Sequence, residues 1–205
     1  MIAVTNTLYT IGYSGFNVND FIGILKKYGV NVLIDVRSNP FSSYFPKYNK
    51  DRIIHTLKSN NIHYRSYAKE FGAQQSERRF YTPQGYLDFE VFTASDMYNT
   101  GYRRIEDSMK QDYVIAFMCA EKDPIDCHRS IMISRTYNDN GYEVLHLLPD
   151  KNPISQIDIE ERLLDKYFPD RDQLSFFAGQ KNNSELVSES YRRRNTDIGY
   201  YIGEK

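Results

Sequence analysis

Residues 114–130 read VIAFMCAEKDPIDCHRS, and the fold of the chain can be worked out from this stretch. Its first five residues form an unbroken apolar run, which is typical of a strand buried on both faces. Polarity changes at Cys119, and Asp123-Pro124 in the following loop is a helix-start signal. The apolar residues after Ser130 can continue as a helix to Asn140-Gly141, a common helix end. The stretch therefore predicts a buried strand, a polar loop and a helix.

The N-terminal part of the chain predicts two more strands with a helix between them. Leu8–Ile11 reads as a short strand and Val32–Val36 as a buried one. Apolar residues at 21, 24, 25 and 28 have the spacing of an amphipathic helix. A strand–helix–strand unit of this length joins parallel strands. The chain therefore predicts an α/β fold, a mostly parallel sheet flanked by helices in three Rossmann-like layers, with a C-terminal extension. The predicted core of the sheet is Ile34, Val36, Ile115, Phe117, Val144 and Leu145.

Further elements follow from the same patterns. Helices are predicted near 51–59, 96–110 and 157–168, and strands at 62–65 and 142–147. In the helix at 157–168 we expect Ile157, Leu164 and Phe168 to form the apolar stripe. The turn-forming residues of 68–85 predict a long loop. We divide the chain into an α/β domain, residues 1–150, and a C-terminal helix with a polar extension, residues 151–205.

The C-terminal extension is polar and includes a basic run. Residues 169–205 are polar and show no periodicity apart from Phe176-Phe177. The basic run 192–194, next to Tyr191, is typical of a solvated tail, and the alternative is contact with nucleic acid. The net charge of −1 gives the whole chain no general attraction to DNA or to acidic membranes.

Cysteine usage and the N-terminus bear on the compartment. Cys119 and Cys127 are a poor disulfide framework and fit a reducing cytoplasm, so we predict that both thiols are free. Residues 1–7 have neither the basic nor the apolar region of a signal peptide, and no apolar run approaches membrane-spanning length. We therefore expect a cytoplasmic protein without membrane contact. No cofactor is predicted, and the sequence does not decide the oligomeric state.

Polar residues follow three of the predicted strands. Because the carboxyl ends of parallel strands meet at one edge of a sheet, we expect these residues to converge there, beside a helix N-terminus. Two arginines, a carboxylate and a thiol at such an edge would suit a small anion such as a phosphate or a sulfur oxyanion. The residues assigned to substrate binding are Gly12, Tyr13, Ser14, Asp35, Arg37, Ser38 and Arg129, and those assigned to catalysis are Cys119, Glu121, Cys127 and His128.

Within this site, Arg37 and Arg129 would hold the anion, and Glu121 would serve as general acid and base. The nucleophile would be Cys127 or Cys119. Cys127 is closer to the helix N-terminus and to His128, which stabilises a thiolate.

Each assignment has an alternative. Cys119 can be a small core residue, and the arginines can form structural ion pairs with Asp35 and Glu121. Cys119, Cys127 and His128 can be zinc ligands, although their spacing is not that of a standard zinc site. His146 on the last strand is expected to be a hydrogen-bonded core histidine.

Four segments, in order, resemble the motifs of the domain of unknown function 488 family. They are 10–14, 34–40, 70–72 and 118–129, and the resemblance spans roughly residues 8–148. It implies a compact α/β domain and no assigned activity. Tyr13 stands where the family usually has His, and Ala73 where it usually has Gly. If that His were an essential base, this chain would lack it. The chain also has a weaker likeness to rhodanese-type sulfurtransferases and cysteine phosphatases, but its loop from Cys119 to Arg129 is longer than the corresponding loop of those proteins.

The sequence therefore predicts an enzyme that binds a small phosphorylated, nucleotide-like or sulfur-bearing substrate. The alternatives are a non-catalytic nucleotide or nucleic-acid binding module and a metal site.

Overall fold

A computed structural model of the chain describes residues 7–149, 151–171 and 182–203. Its centre is a six-stranded sheet in which five strands are parallel and the last is antiparallel, so the predicted α/β fold is confirmed. The strand order is β3-β2-β4-β1-β5-β6. The strands are β1 (Thr7–Gly12), β2 (Val32–Asp35), β3 (His63–Ser66), β4 (Ile115–Cys119), β5 (Glu143–Leu147) and β6 (Ile154–Ser155).

Helices connect the strands and cover both faces of the sheet. They are α1 (Val18–Lys27), α2 (Lys50–Lys58), α3 (Ala68–Phe71), α4 (Phe89–Thr93), α5 (Asp96–Met109), α6 (Arg135–Asp139), α7 (Gln156–Tyr167) and α8 (Asn183–Ile198). The start of α1 is fixed by Asn17, whose side chain accepts the N–H groups of Asn19 and Asp20. The helix after the central strand begins as a wider π-helical turn, Arg129–Ser134, before it becomes α6.

Two separate cores lie on the two faces of the sheet. In the first core, Phe117 and Cys119 of β4 pack with residues of α5, α6, α7 and α8. In the second core, the intervening Met118 packs with residues of α1 and α2. Successive side chains of a strand point to opposite faces, so β4 is buried on both sides, as its unbroken apolar run predicts. Of the predicted core, only Leu145 is half-buried, on a strand near the edge of the sheet.

Two expectations about the fold need correction. Residues 68–85 contain the short helix α3 and a 3-10 turn at Arg78–Phe80. Of the expected stripe of α7, Leu164 is buried as predicted, whereas Ile157 is 61% exposed and Phe168 is half-buried. The other buried apolar residues of this helix are Ile159 and Leu163. Helix α7 begins at a capping box formed by Ser155 and Asp158.

The polar C-terminal part is also more ordered than expected. Residues 183–198 form α8, and its Tyr191 and Arg194 are buried against the domain instead of lying in a solvated tail. Asn195 accepts the N–H of Phe89 at 2.9 Å and donates to the carbonyl of Leu87 at 2.8 Å. The pair Phe176-Phe177 lies outside the described residues. In the described part of the chain, no helix has the length and apolar character needed to cross a membrane.

Candidate functional site

Four reactive side chains meet where the central strand ends. Cys119 is the last residue of β4, Glu121 follows it, and a short turn brings the chain back to place Cys127 and His128 beside them. That turn, Pro124–Asp126, is fixed by Asp123, whose side chain accepts the N–H of Ile125 at 3.2 Å. The predicted polar loop therefore folds back on the strand tip and joins its two ends into one cluster.

Distances within this cluster are short. The sulfurs of Cys119 and Cys127 each lie 3.0 Å from Oε2 of Glu121, within hydrogen-bonding distance. Each sulfur also lies 3.8 Å from Nδ1 of His128. The ligand atoms of Cys119, Cys127 and His128 lie within 4.8 Å of one another, and all three residues are buried. Both cysteines are free, as predicted.

His128 is oriented by the neighbouring strand. Its Nε2 lies 3.2 Å from the carbonyl oxygen of Val36, just beyond β2. A carbonyl can only accept, so the proton is on Nε2 and the Nδ1 lone pair faces both sulfurs whenever the ring is neutral.

The four groups shift one another's proton affinities. A hydrogen bond to Cys127, together with burial, raises the pKa of Cys119 well above its usual range. Burial opposes ionisation of Cys127, but the hydrogen bond from Cys119 and the charge of Arg129 outweigh it and lower the Cys127 pKa. Burial lowers the pKa of His128, and the neighbouring Cys127 and Glu121 raise it above its ordinary value. Desolvation raises the pKa of Glu121, although the residue as a whole is exposed.

Arg129 closes the loop behind the cluster. It is fully buried and donates to the carbonyl oxygens of Glu121 at 2.7 Å and Lys122 at 3.4 Å. Its backbone N–H also points at the sulfur of Cys127, 3.4 Å away. Gly12 makes this possible, because a Cβ there would lie 1.7 Å from the Glu121 carbonyl oxygen and 3.0 Å from Nη2 of Arg129. The guanidinium therefore holds protein carbonyls in place.

Arg37 lies on the opposite face of the sheet. Its partner Asp35 pairs in register with Met118, and the guanidinium lies over the ring of Tyr13 in the second core. It donates to both carboxylate oxygens of Asp35, at 2.9 and 2.6 Å. Arg129 belongs to the first face, since Thr10, which its Nε approaches to 3.4 Å, pairs in register with Phe117. The expected site shared by Arg37, Glu121 and Arg129 is therefore not formed.

The remaining predicted residues lie around these two groups. The N–H of Ser14 donates to the carbonyl of Ala120 at 3.0 Å, which ties the first strand tip to the central one. Tyr13 stacks on Tyr48 with 4.6 Å between ring centroids. The hydroxyl of Ser38 accepts the N–H of Gln74 at 2.8 Å.

A buried polar chain behind Arg129 was not predicted. Thr10 and His146 are 2.7 Å apart, and Nε2 of His146 lies 2.8 Å from Oε1 of Gln156. The amide nitrogen of Gln156 donates to the hydroxyl of Tyr191 at 2.7 Å and to the carbonyl of Ser130 at 3.3 Å. His146 is thus a hydrogen-bonded core histidine, as expected. Nothing in the local sequence around Gln156 or Tyr191 signals this role.

The basic run of α8 is engaged within the chain. Arg192 pairs with Glu90 at 3.2 Å, Arg193 with Glu189 at 3.1 Å, and Arg194 with Asp126. Each of the three arginines therefore has an acidic partner within the protein, which leaves less of their positive charge available to a nucleic acid.

Comparison with known protein families gives a match over most of the α/β domain. A family model described as "Domain of unknown function DUF488" matches residues 17–136, more than half of the chain. The matched range includes the whole cluster and stops short of α7 and α8. No curated protein and no solved structure matches the chain.

Proposed function

The chain belongs to the DUF488 family, and we propose that it is a metal-binding protein. The proposed centre holds Zn²⁺ between Cys119, Cys127 and His128. The observation that carries the proposal is the convergence of three buried ligand atoms within 4.8 Å of one another. Two thiolates and an imidazole are a donor set that zinc prefers.

The spacing of these donors fits the size of the ion. With zinc bonded to sulfur at about 2.3 Å and to nitrogen at about 2.0 Å, tetrahedral geometry separates sulfur from nitrogen by about 3.5 Å. Each sulfur lies 3.8 Å from Nδ1 of His128. An ion could therefore bind between them with only small movements of the side chains.

The surroundings of the donors support the same proposal. Histidine ligands commonly donate their second ring N–H to a carbonyl, as His128 does to Val36. The N–H of Arg129 points at the sulfur of Cys127, where it would stabilise a thiolate ligand. The buried positive charge of Arg129 also favours ionisation of Cys119 and Cys127, and the thiolate is the form in which each would bind Zn²⁺.

A second candidate is supported by the lowered pKa of Cys127. A thiolate at Cys127 beside His128 is the arrangement of a nucleophilic cysteine, and the protein would then be a thiol-dependent enzyme. Without a metal, this thiolate would be open to alkylation. With zinc bound, both sulfurs would be ligands and would react slowly.

The test is zinc binding to the full chain. After loading with zinc and dialysis against metal-free buffer, mass spectrometry of the metal content should give one zinc per chain. Cys127→Ser and His128→Ala should lose it, whereas His55→Ala, at an exposed histidine of α2, should keep it. Retention of zinc by His128→Ala would refute the centre. Rapid alkylation of Cys127 in a chain that binds no zinc would establish the thiolate enzyme instead.

A further inference from the structure

We propose that the loop between β2 and α2, residues 40–49, is part of a binding surface for single-stranded nucleic acid. Of the large apolar side chains that the structure describes, the two most exposed both lie in this loop, Phe41 at 67% and Tyr44 at 90%. Apolar groups gathered on the surface of a soluble protein commonly mark a binding site. The surface is separate from the proposed metal centre, because the loop packs on the second core through Tyr48, whereas Cys119 and Cys127 belong to the first.

Hydrogen bonds hold loop 40–49 in a closed shape. The N–H of Lys50 donates to the carbonyl of Pro40 at 3.0 Å, which ties the two ends of the loop together. Inside the loop, the hydroxyl of Ser42 accepts the N–H of Phe45 at 3.1 Å, and the side chain of Asn49 accepts the N–H of Ser42 at 2.7 Å. Compact loops of this kind are frequently functional. The exposed rings are therefore carried by a braced loop, which lowers the entropic cost of binding.

An aromatic stack and an arginine support the loop from the side of the core. Tyr48 stacks on Tyr13 with 4.6 Å between ring centroids, and Phe45 meets Tyr13 edge-on at 5.6 Å. Nη2 of Arg37 donates to the carbonyl of Tyr48 at 3.0 Å, and the hydroxyl of Tyr48 donates to the carbonyl of Phe16 at 3.0 Å. Two aromatic residues of the loop thus anchor it to the domain, and the two most exposed rings are left free for a ligand.

The basic side chains of this segment are not neutralised within the protein. Residues 41–58 contain four basic residues and one acidic residue, all exposed: Lys47, Lys50, Arg52, Lys58 and Asp51. Among the described residues none of these four basic side chains forms an ion pair, in contrast to the three arginines of α8. The segment is therefore a positive region in a chain whose net charge is −1. Positive charge beside exposed rings complements a ligand made of phosphates and flat bases.

A cleft next to the loop gathers part of this charge. It has a volume of about 420 Å³, and Lys47, Arg52 and His55 line it together with the carboxylate of Asp51. Tyr44 precedes Lys47 by three residues, so their Cα atoms are at most about 11 Å apart. A strand of nucleic acid would place phosphates along the cleft and a base on the ring of Tyr44.

The aromatic contact selects a single strand over a duplex. Stacking on a ring requires an unpaired base, and it tolerates any sequence because every base has a flat face. In a duplex the bases are already stacked on one another, so the basic side chains would reach phosphates but the rings would find no base. The ligand class is therefore single-stranded DNA or RNA without sequence preference.

The test is binding of a fluorescein-labelled oligothymidylate of about 12 nucleotides to the full chain, followed by anisotropy between about 50 and 200 mM salt. Tyr44→Ala should weaken binding about tenfold or more and leave the slope of log affinity against log salt unchanged, because it removes a stacked base and no charge. Lys47→Gln should make that slope shallower by about 0.7, since one phosphate contact is lost.

Matched controls lie away from the surface. Tyr113→Ala, at a tyrosine that is 40% exposed before the start of β4, and Lys69→Gln, at an exposed lysine of α3, should bind like the unsubstituted protein. Because the ring of Tyr44 is 90% exposed, its removal should leave thermal unfolding unchanged, so that weaker binding cannot be attributed to misfolding.

Two results would overturn the proposal. The first is equal affinity of Tyr44→Ala and Tyr113→Ala for the oligothymidylate, which would exclude stacking on the loop. The second is a full chain that does not bind the oligothymidylate at about 50 mM salt. If sedimentation then shows a dimer that Tyr44→Ala separates, the surface is instead a contact between two copies of the chain.

Discussion

Acid should destabilise the protein through His146, a residue of β5 that is fully buried. Burial, together with the charge of Arg129, lowers its pKa from 6.5 to about 3. The unfolded chain therefore binds one more proton than the folded chain between these two values. The stabilising contribution is complete above pH 6.5 and is lost as the pH falls towards 3. Lowering the pH from about 7.5 to about 5.5 should cost about 1.4 kcal/mol of unfolding free energy from this residue alone.

The measurement is urea denaturation of the metal-free protein at both pH values, with a chelator present because acid also releases metals. His146→Gln should lose about 1.4 kcal/mol less stability than the unsubstituted protein over the same interval. His63→Gln, at an exposed histidine of β3, should behave like the unsubstituted protein. His128, whose pKa is raised, contributes with the opposite sign, but it is common to all three proteins and cancels. Equal losses in all three would refute the reasoning.

Three other outcomes are expected. In thermal unfolding, Gly12→Ala should destabilise the protein by about 3 kcal/mol or more, because the added Cβ collides with the backbone carbonyl of Glu121. The control Gly23→Ala, in the interior of α1 where a Cβ has open space, should stabilise the protein by up to about 1 kcal/mol. Asn195→Ala should cost about 2 to 4 kcal/mol in urea, since it leaves two buried backbone groups unpaired, and a cost below about 0.5 kcal/mol would contradict this. Mass spectrometry of the alkylated, unfolded metal-free protein should find Cys119 and Cys127 both modified, and a mass two hydrogens short would reveal a disulfide.

Strong periodic signals predicted most of the fold. The apolar runs of β2 and β4 and the helical spacing of α1 place their residues correctly, since burial on both faces of a parallel sheet leaves few polar positions. Helix α8 was missed for a physical reason. Its buried residues are Ser190, Tyr191, Arg194 and Asn195, which are held by hydrogen bonds and ion pairs. A search for apolar periodicity cannot find a helix that packs through polar side chains.

For the candidate site, the sequence predicted where the strand tips lie but not which face of the sheet each side chain occupies. Strand order and direction place the tips of β1, β2 and β4 at one edge, as predicted. Which face each side chain occupies depends on the register between strands, and a shift of one residue reverses it. Asp35 pairs with Met118, so Asp35 and Arg37 turn away from the face that carries Cys119. The sequence contains no signal for that register, and the two arginines therefore appeared to share a pocket.

The C-terminal extension should support the centre although it lies beyond the matched family range. Gln156 of α7 uses its whole amide, contacting His146, Ser130 and Tyr191, and it is fully buried. His146 in turn contacts Thr10, and the hydroxyl of Thr10 lies next to Nε of Arg129. The guanidinium of Arg129 fixes the loop that carries Glu121 by donating to the Glu121 carbonyl.

Replacing Gln156 by Leu keeps the volume but leaves these groups unpaired, so we expect a loss of about 2 to 4 kcal/mol in urea denaturation. Zinc affinity, measured by competition with a chromogenic chelator, should fall by about 10- to 100-fold, as for other residues that orient a metal's ligands. Gln111→Leu, at an exposed glutamine after α5, should change neither quantity. A destabilised Gln156→Leu with unaltered zinc affinity would mean that the extension stabilises the domain without positioning the centre. The reverse result, weaker zinc binding with an unchanged free energy of unfolding, would mean that the substitution disturbs the loop that carries Glu121 without destabilising the domain.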